Sequence, residues 1–297
     1  MKYLITGAQG VIGTELIQQL KNNYSEVEYC AIGRKELDVE NKQMVKEVIL
    51  ENNPDVVIHL AAWTNVDSCE EKQKECYRTN VTGTANICQA VKEIGAILVY
   101  PSTFYVYSGE EGKVFDERVD QPILEEIVGY YSKTKLLGEQ EISKHGLKKY
   151  YIIMIGALFG GGINDKKFVA KILKKAKKNE TIEAVNDRVV QPTYANDLVS
   201  NLLKLISTNK YGIYNMVGKG KATYYQYAQA ILSFAGLQKV ELLPISSSQF
   251  VEAAPRAKNL SAINGNLQEI GLDLMRDWQE ALKDYIENEL LKGKIYE

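Results

Sequence analysis

Thr6-Gly7-Ala8-Gln9-Gly10-Val11-Ile12-Gly13 follows a short apolar stretch at the beginning of the chain and opens a run with helical spacing. It reads as a glycine-rich turn between a strand, Lys2–Thr6, and a helix, Val11–Asn22. Gly7, Gly10 and Gly13 stand at GxxGxxG spacing. Glycine permits a sharp turn and lets a pyrophosphate approach the backbone with no Cβ in the way. The helix that begins at Val11 and Ile12 points its positive end and free N–H groups at the same place. A strand–helix turn without a ligand could use the same glycines. Position decides between the two: directly after the first strand, the turn reads as a dinucleotide site.

Outward from this turn, apolar runs alternate with helical patterns. Strands are expected at Val27–Ile32, Asp55–Ala61, Ala96–Pro101 and Tyr150–Ile155, and helices at Lys42–Glu51, across Ser68–Glu93 and at Gly129–Lys144. Unbroken Val/Ile/Leu runs indicate strands buried on both faces. Strands separated by helices indicate βαβ units and an α/β fold with a doubly wound parallel (Rossmann) sheet. Beyond about residue 160 the rhythm loosens. Helices are expected at Asp165–Lys178, Ala195–Ser207, Tyr224–Ala235 and Asp277–Leu291, with strands at Gly212–Val217 and Val240–Leu243. No Pro/Ser-rich linker divides the halves. The expectation is a dinucleotide domain over 1–160 and a small C-terminal α/β lobe over 161–297, interleaved with it and mainly binding substrate.

The second strand ends Ile32-Gly33-Arg34-Lys35, with no acid before Glu36. An acidic residue there would bond the adenosine 2′-OH of NAD. Arg34 and Lys35 suit a 2′-phosphate instead. NADPH is therefore the expected cofactor, with NADH second.

Tyr131-Ser132-Lys133-Thr134-Lys135 puts a phenol and an ammonium one helical turn apart. An ammonium beside a phenol favours the phenolate and is expected to lower the Tyr131 pKa. Such a phenol can deliver a proton to a carbonyl oxygen as hydride reaches the carbon. The neighbouring Tyr130 has Thr134, not a cation, at i+4. Pro101-Ser102-Thr103-Phe104-Tyr105 lies just past a central strand, where open α/β sheets place their ligands, so the Thr103 hydroxyl could bond the reacting oxygen.

These segments resemble the extended short-chain dehydrogenase/reductases, and among them the dTDP-4-dehydrorhamnose reductase family. The resemblance rests on the glycine turn, Leu37-Asp38-Val39, Pro54 through Asp67, Asn80-Val81-Thr82-Gly83, Ser102-Thr103, Tyr131 through Glu139, Gln191-Pro192-Thr193-Tyr194 and Gly212-Ile213-Tyr214. It implies that Asp38 and Val39 flank the adenine. Leu60, Ala61, Ala62 and Thr64 would line the dinucleotide, with Ala62, Trp63 and Thr64 beginning the sugar pocket. Asn80 would support the active-site helix, and Thr103, Tyr131 and Lys135 would form the catalytic triad. The implied substrate is a nucleotide-linked 4-keto-6-deoxyhexose, seated between Thr103, Phe104, Trp63 and the lobe carrying Arg188 and Gln191. The chain departs from the family pattern where Phe104 and Ser108 replace aspartates and where Met154-Ile155-Gly156-Ala157 puts Ala157 in place of a tryptophan. A lost carboxylate and a lost aromatic ring imply a changed sugar pocket. An epimerase, or a non-catalytic binding subunit with the same fold, would share much of this pattern. Retention of Thr103, Tyr131 and Lys135 favours the reductase.

The bulk composition sets the remaining bounds. Net charge is −2 over 297 residues, with 25% charged and 45% hydrophobic residues, which gives no global field toward nucleic acid or an acidic membrane. Lys174-Lys175-Ala176-Lys177-Lys178 reads as the solvated end of a helix. Cys30, Cys69, Cys76 and Cys88 form no CxxC pair, so neither a metal site nor a disulfide framework is expected. His59 is expected to be packed or beside the cofactor rather than a base. With no apolar run of membrane-spanning length and a strand starting at residue 2, the expected location is the cytoplasm. A homodimer is left open.

Overall fold

The strands order themselves, by hydrogen bonding, as Gly212–Asn215, Tyr150–Ile155, Ile97–Thr103, Val56–His59, Lys2–Thr6 and Glu28–Ile32 in one six-stranded sheet. This is seen in a computed structural model, which describes residues 1–162, 165–249 and 252–291. Every neighbouring pair is parallel, with Thr6 level with Ile32 on one side and His59 on the other. The second and third strands thus lie on opposite sides of the first. That reversal leaves a crevice at the carboxyl ends of the strands, the place where doubly wound sheets take ligands.

Alternation along each strand explains why the apolar runs are unbroken. Leu4, Val57, Leu98 and Ile152 join one core with Val45 and Ile49 of the helix Lys42–Asn52, Ile87 and Val91 of Gly83–Ile94, and Ile142 of Tyr130–Lys144. Their neighbours Ile5, Ile58, Val99 and Ile153 join another, with Leu16 and Leu20 of Val11–Asn23 and with Leu198 and Leu202 of Ala195–Ile206. Successive side chains point to opposite faces, so a strand covered on both sides needs apolar residues at every position. Each such buried side chain contributes roughly 1.5–3 kcal/mol.

The loosened second half is shared between two bodies. Its helix Ala195–Ile206 and strand Gly212–Asn215 return to the main sheet, the strand forming one edge. The lobe is built from the helices Phe168–Lys177, Tyr224–Phe234 and Trp278–Asp284 around the parallel pair Ile182–Val185 and Leu242–Ile245. Its core holds Phe159, Ile172, Leu173, Tyr227, Ile231, Trp278 and Tyr285. Lys174, Lys175 and Lys177 occupy the last turn of Phe168–Lys177, on the side away from buried Ile172, Leu173 and Ala176. Among the described residues no helix is long and apolar enough to cross a membrane.

Candidate active site

The glycines of the first turn serve different ends. Gly7 has φ +64°, and a Cβ there would meet the Ala61 nitrogen at 2.6 Å. A Cβ at Gly13 would meet the Ala8 carbonyl oxygen at 2.5 Å. These two are required by the packing of the chain on itself. At Gly10 the nearest atom to a Cβ would be the Gly7 oxygen at 3.4 Å, an ordinary contact, so the protein leaves that side open. The helix Val11–Asn23 starts there with no side-chain cap and no acid in its first turn. An open backbone face against uncapped N–H groups fits a pyrophosphate.

Gly7, Gly10, Val11, Ile12 and Gly13 all border one cleft of about 850 Å³ at the carboxyl ends of the strands. Arg34, Asp38 and Val39 line one end of it, followed by Leu60, Ala61, Ala62 and Thr64. Arg34 is exposed and makes no ion pair among the described residues. Lys35 is not in the wall, so Arg34 alone of that pair reaches the cleft. The Glu36 carboxylate is turned away, accepting from the Gly33 nitrogen at 2.9 Å.

Thr103, Tyr131 and Lys135 line the middle of the same cleft. Thr103 ends the central strand Ile97–Thr103, and its hydroxyl accepts from the Tyr105 nitrogen at 3.3 Å. Tyr131 and Lys135 come from the helix Tyr130–Lys144. The expected depression of the Tyr131 pKa is not what the structure shows: burial, reinforced by Cys69, Tyr105 and Cys76, pushes the phenol up. The reason is where Lys135 goes. Its ammonium lies over the Tyr100 ring, 3.9 Å from the centroid, a cation–π contact. Burial draws that ammonium down to about 7, opposed by the Glu139 carboxylate one turn further on. Burial raises Glu139 to about 7, opposed by the Ser102 hydroxyl, which donates to it, and by Lys135. His59 is fully packed, its ring nitrogens against Thr6 Oγ1 at 2.9 Å and Thr84 Oγ1 at 3.4 Å. Burial, aided by Lys135, draws it down to about 3, so it stays neutral at physiological pH.

The residues expected to hold sugar divide. Trp63 lines the cleft, its indole N–H donating to Ser68 Oγ at 2.7 Å, and so do Gly156 and Ala157, the latter at the position where the family pattern has a tryptophan. Phe104 does not. It is 1% exposed in the core, stacked on Tyr107, because the residue after Thr103 turns back beneath the strand end. Arg188 is also outside the cleft wall, paired with Glu252. Gln191 is spent on structure: its amide donates to the Ala262 oxygen at 3.0 Å and accepts from the Ala262 nitrogen at 2.5 Å. Both are corrections, with one cause: the lobe uses these polar groups to tie its own loops together. Asn80 does support the active-site helix. It brackets the Trp63 backbone, accepting from its nitrogen at 2.7 Å, and donates to Thr134 Oγ1 at 3.0 Å.

Sequence reasoning missed the part of the wall made by Tyr105, Lys167, Phe168, Tyr224 and Tyr227. Burial pushes the Tyr224 phenol up, and the nearby Tyr105 hydroxyl adds to that shift. Only tertiary packing brings Tyr105 and Tyr224, 119 positions apart, together here, and no local motif announces them.

The sheet, the glycine turn and the Thr–Tyr–Lys set define an extended short-chain dehydrogenase/reductase. The chain belongs to the family described as RmlD substrate binding domain, which matches residues 1–291. It is 32% identical over 287 residues to the spore coat polysaccharide biosynthesis protein SpsK of Bacillus subtilis (strain 168), covering 96% of this chain and 97% of that one. It is also 32% identical over 295 residues to a dTDP-4-dehydrorhamnose reductase of Aggregatibacter actinomycetemcomitans, covering 95% and 97%. Among solved structures, a dTDP-4-dehydrorhamnose reductase from Bacillus anthracis str. Ames in complex with NADP superposes with a TM-score of 0.90 at 33% identity, over 96% of this chain and 98% of that one.

Proposed function

We propose that this protein uses NADPH, with NADH as the weaker donor, to reduce the 4-keto group of a nucleotide-linked 6-deoxyhexose to a hydroxyl. One observation carries the reading: the open Gly10 face, Arg34, and the Thr103, Tyr131 and Lys135 side chains border a single cleft. Relatives named as dTDP-sugar reductases support it. The glycine turn, the uncapped helix end and Arg34 would hold the dinucleotide, which when bound supplies the hydride. Residues 1–160 serve mainly that purpose, and the lobe within 161–297 mainly serves the sugar.

The chain's own residues handle the proton. Tyr131, kept protonated at neutral pH by burial, is the acid whose proton goes to the carbonyl oxygen. Thr103 orients that oxygen with its hydroxyl. Lys135, drawn down to about 7 by burial, supplies positive charge beside the developing alkoxide in its protonated form and holds its own position against the Tyr100 ring. Trp63 closes one side of the sugar pocket, and the small Gly156 and Ala157 widen the other. That widening predicts that dTDP-4-dehydrorhamnose is not the preferred substrate.

NADPH oxidation followed by absorbance with a panel of nucleotide-linked 4-keto sugars tests the function. Stoichiometric oxidation is expected. Sugar interconversion without net oxidation would mean an epimerase, and binding without turnover would mean a non-catalytic module. The cofactor assignment is tested by titration calorimetry of Arg34→Ala, expected to lose roughly 1–3 kcal/mol toward NADPH only, the range for a charged hydrogen bond. Equal losses toward NADH would remove the 2′-phosphate contact.

A further inference from the structure

The helix Tyr130–Lys144 carries Tyr131, Lys135 and Glu139 at successive turns of one face. The first two serve the reaction. Glu139 has no part in the proton transfer, yet it is 6% exposed, in a place where a carboxylate is unfavourable unless its charge is compensated. The Ser102 hydroxyl donates to it. Ser102 precedes Thr103 on the central strand and lies in the cleft wall, so a side chain at the reacting centre reaches back to hold this buried acid.

Lys135 is 3% exposed, and among the described residues its ammonium makes no close ion pair. The helix cannot retreat from the strand beneath it, because the Tyr100 hydroxyl donates to the Lys135 oxygen at 3.2 Å. A buried ammonium gives up its proton readily unless negative charge lies near. Glu139 is the first such charge acting on Lys135, ahead of Cys76. The other groups that face the pair from the packed elements are His59, Tyr100, Tyr107 and Cys88, together with Tyr131 on the helix itself. Burial holds the three phenols and the Cys88 thiol up and His59 down, so all five are neutral at pH 7. Cys76 is lowered, chiefly by its hydrogen bond with Cys69, and is the lesser support.

We infer that Glu139, held by Ser102, is a positioning residue whose negative charge keeps the Lys135 ammonium protonated beside the reacting carbonyl, an inference that rests on the reductase reading above. It touches neither substrate nor cofactor and acts through Lys135. The buried helix face thus carries an acid for the proton, a cation for the developing alkoxide and a counter-charge for that cation.

Two measurements on the full chain test this. In protein labelled with [ε-13C]lysine, the Lys135 resonance is identified by its loss in Lys135→Met, and its titration is followed by NMR. Glu139→Gln keeps the shape and removes the charge, so Lys135 should titrate at lower pH than in wild type. In keto-sugar reduction the alkaline limb of kcat should move the same way. A fall of one unit from about 7 costs about tenfold in protonated Lys135 at pH 8 but only about twofold at pH 6. Glu139→Asp, shorter but charged, should shift the limb less than Glu139→Gln, the reverse of what a purely packing role gives. Ser102→Ala removes the hydrogen bond that favours the Glu139 carboxylate and should produce a smaller shift in the same direction; it carries the test if Glu139→Gln does not fold. If Lys135 titrates alike in wild type and in the folded variants, the inference is overturned and the reductase reading stands. If wild type reduces no nucleotide-linked keto sugar, the reductase reading falls and the positioning role falls with it.

Discussion

Tyr131 and Lys135 stand at the spacing that lets an ammonium loosen a phenol, yet in the folded chain Lys135 is drawn to the Tyr100 ring and opposed by Glu139 while Tyr131 is pushed up by burial. A phenol protonated at neutral pH is the form a general acid needs. Tyr131→Phe is therefore expected to lower kcat by about 10²–10⁴-fold with NADPH affinity nearly unchanged. Tyr130→Phe is the control and should be mild, since the Tyr130 hydroxyl has no cation at i+4. Near-wild-type turnover by folded Tyr131→Phe would remove it as the acid. His59 gives a pH signature. Its folded pKa of about 3 lies below its ordinary 6.5, so between these values the unfolded chain binds a proton that the folded chain does not. Stability from this residue is present above pH 6.5 and is lost as pH falls toward 3. Glu139, raised to about 7 from 4.5, has the opposite sign, losing stability as pH rises through that window. The comparison is thus with His59→Asn: urea denaturation midpoints should fall more steeply from pH 7 to pH 5 in wild type than in the variant. Parallel slopes would mean that His59 titrates normally.

At the scale of elements, the stretch expected to be plainly helical from Ser68 to Glu93 contains a π-helical turn, Arg78–Thr82, between the α-helices Gln73–Tyr77 and Gly83–Ile94. Such turns insert one residue and often mark functional sites. Here the turn presents Asn80 to Trp63 on one side and to Thr134 of the active-site helix on the other. The two elements approach so closely that a Cβ at Gly138 would meet the Asn80 oxygen at 2.8 Å and the Tyr100 hydroxyl at 2.3 Å. Asn80→Ala strands the Trp63 nitrogen and takes one donor from the Thr134 hydroxyl, which keeps its bond to the Tyr131 oxygen, and is expected to cost about 1–3 kcal/mol in denaturant titration. Because it releases Trp63 as well as the helix, it should also lower kcat/KM. Unchanged stability and activity would reduce Asn80 to a bystander.

Across the whole molecule, the lobe is tied to the rim of the cleft by Arg256, whose two terminal nitrogens each reach one oxygen of Asp67 at 3.1 Å. The Ala254 nitrogen donates to Asp67 as well, and Glu252 forms ion pairs with both Arg256 and Arg188. Arg256 holds the Asp67 carboxyl below its ordinary range. Asp67 is half exposed, so solvent screens the pair and the stability lost in Arg256→Gln should be only about 1 kcal/mol. The larger effect is expected in KM for the keto sugar, because the pair sets where the lobe sits relative to Trp63, while NADPH affinity should hold. An unchanged KM would show that the lobe is positioned without this bridge.

The chain by itself determined the sheet and the dinucleotide half of the cleft, because both depend on local signals. Unbroken apolar runs are what a strand covered on both faces requires, and the glycine turn and the Tyr131–Lys135 spacing each lie within one turn or one helix. The sugar side was legible only in part. Trp63 and Ala157 reach the cleft, but Phe104, Arg188 and Gln191 turn inward or pair with neighbours, and which way a polar side chain turns depends on partners distant in sequence. The same holds for Lys167, Tyr224 and Tyr227, which enter the cleft only because the lobe folds back over the strand ends. Tertiary packing also set the charge states: Lys135 and Glu139 are moved toward neutrality, and Tyr131 is kept protonated, by burial that no spacing of residues encodes.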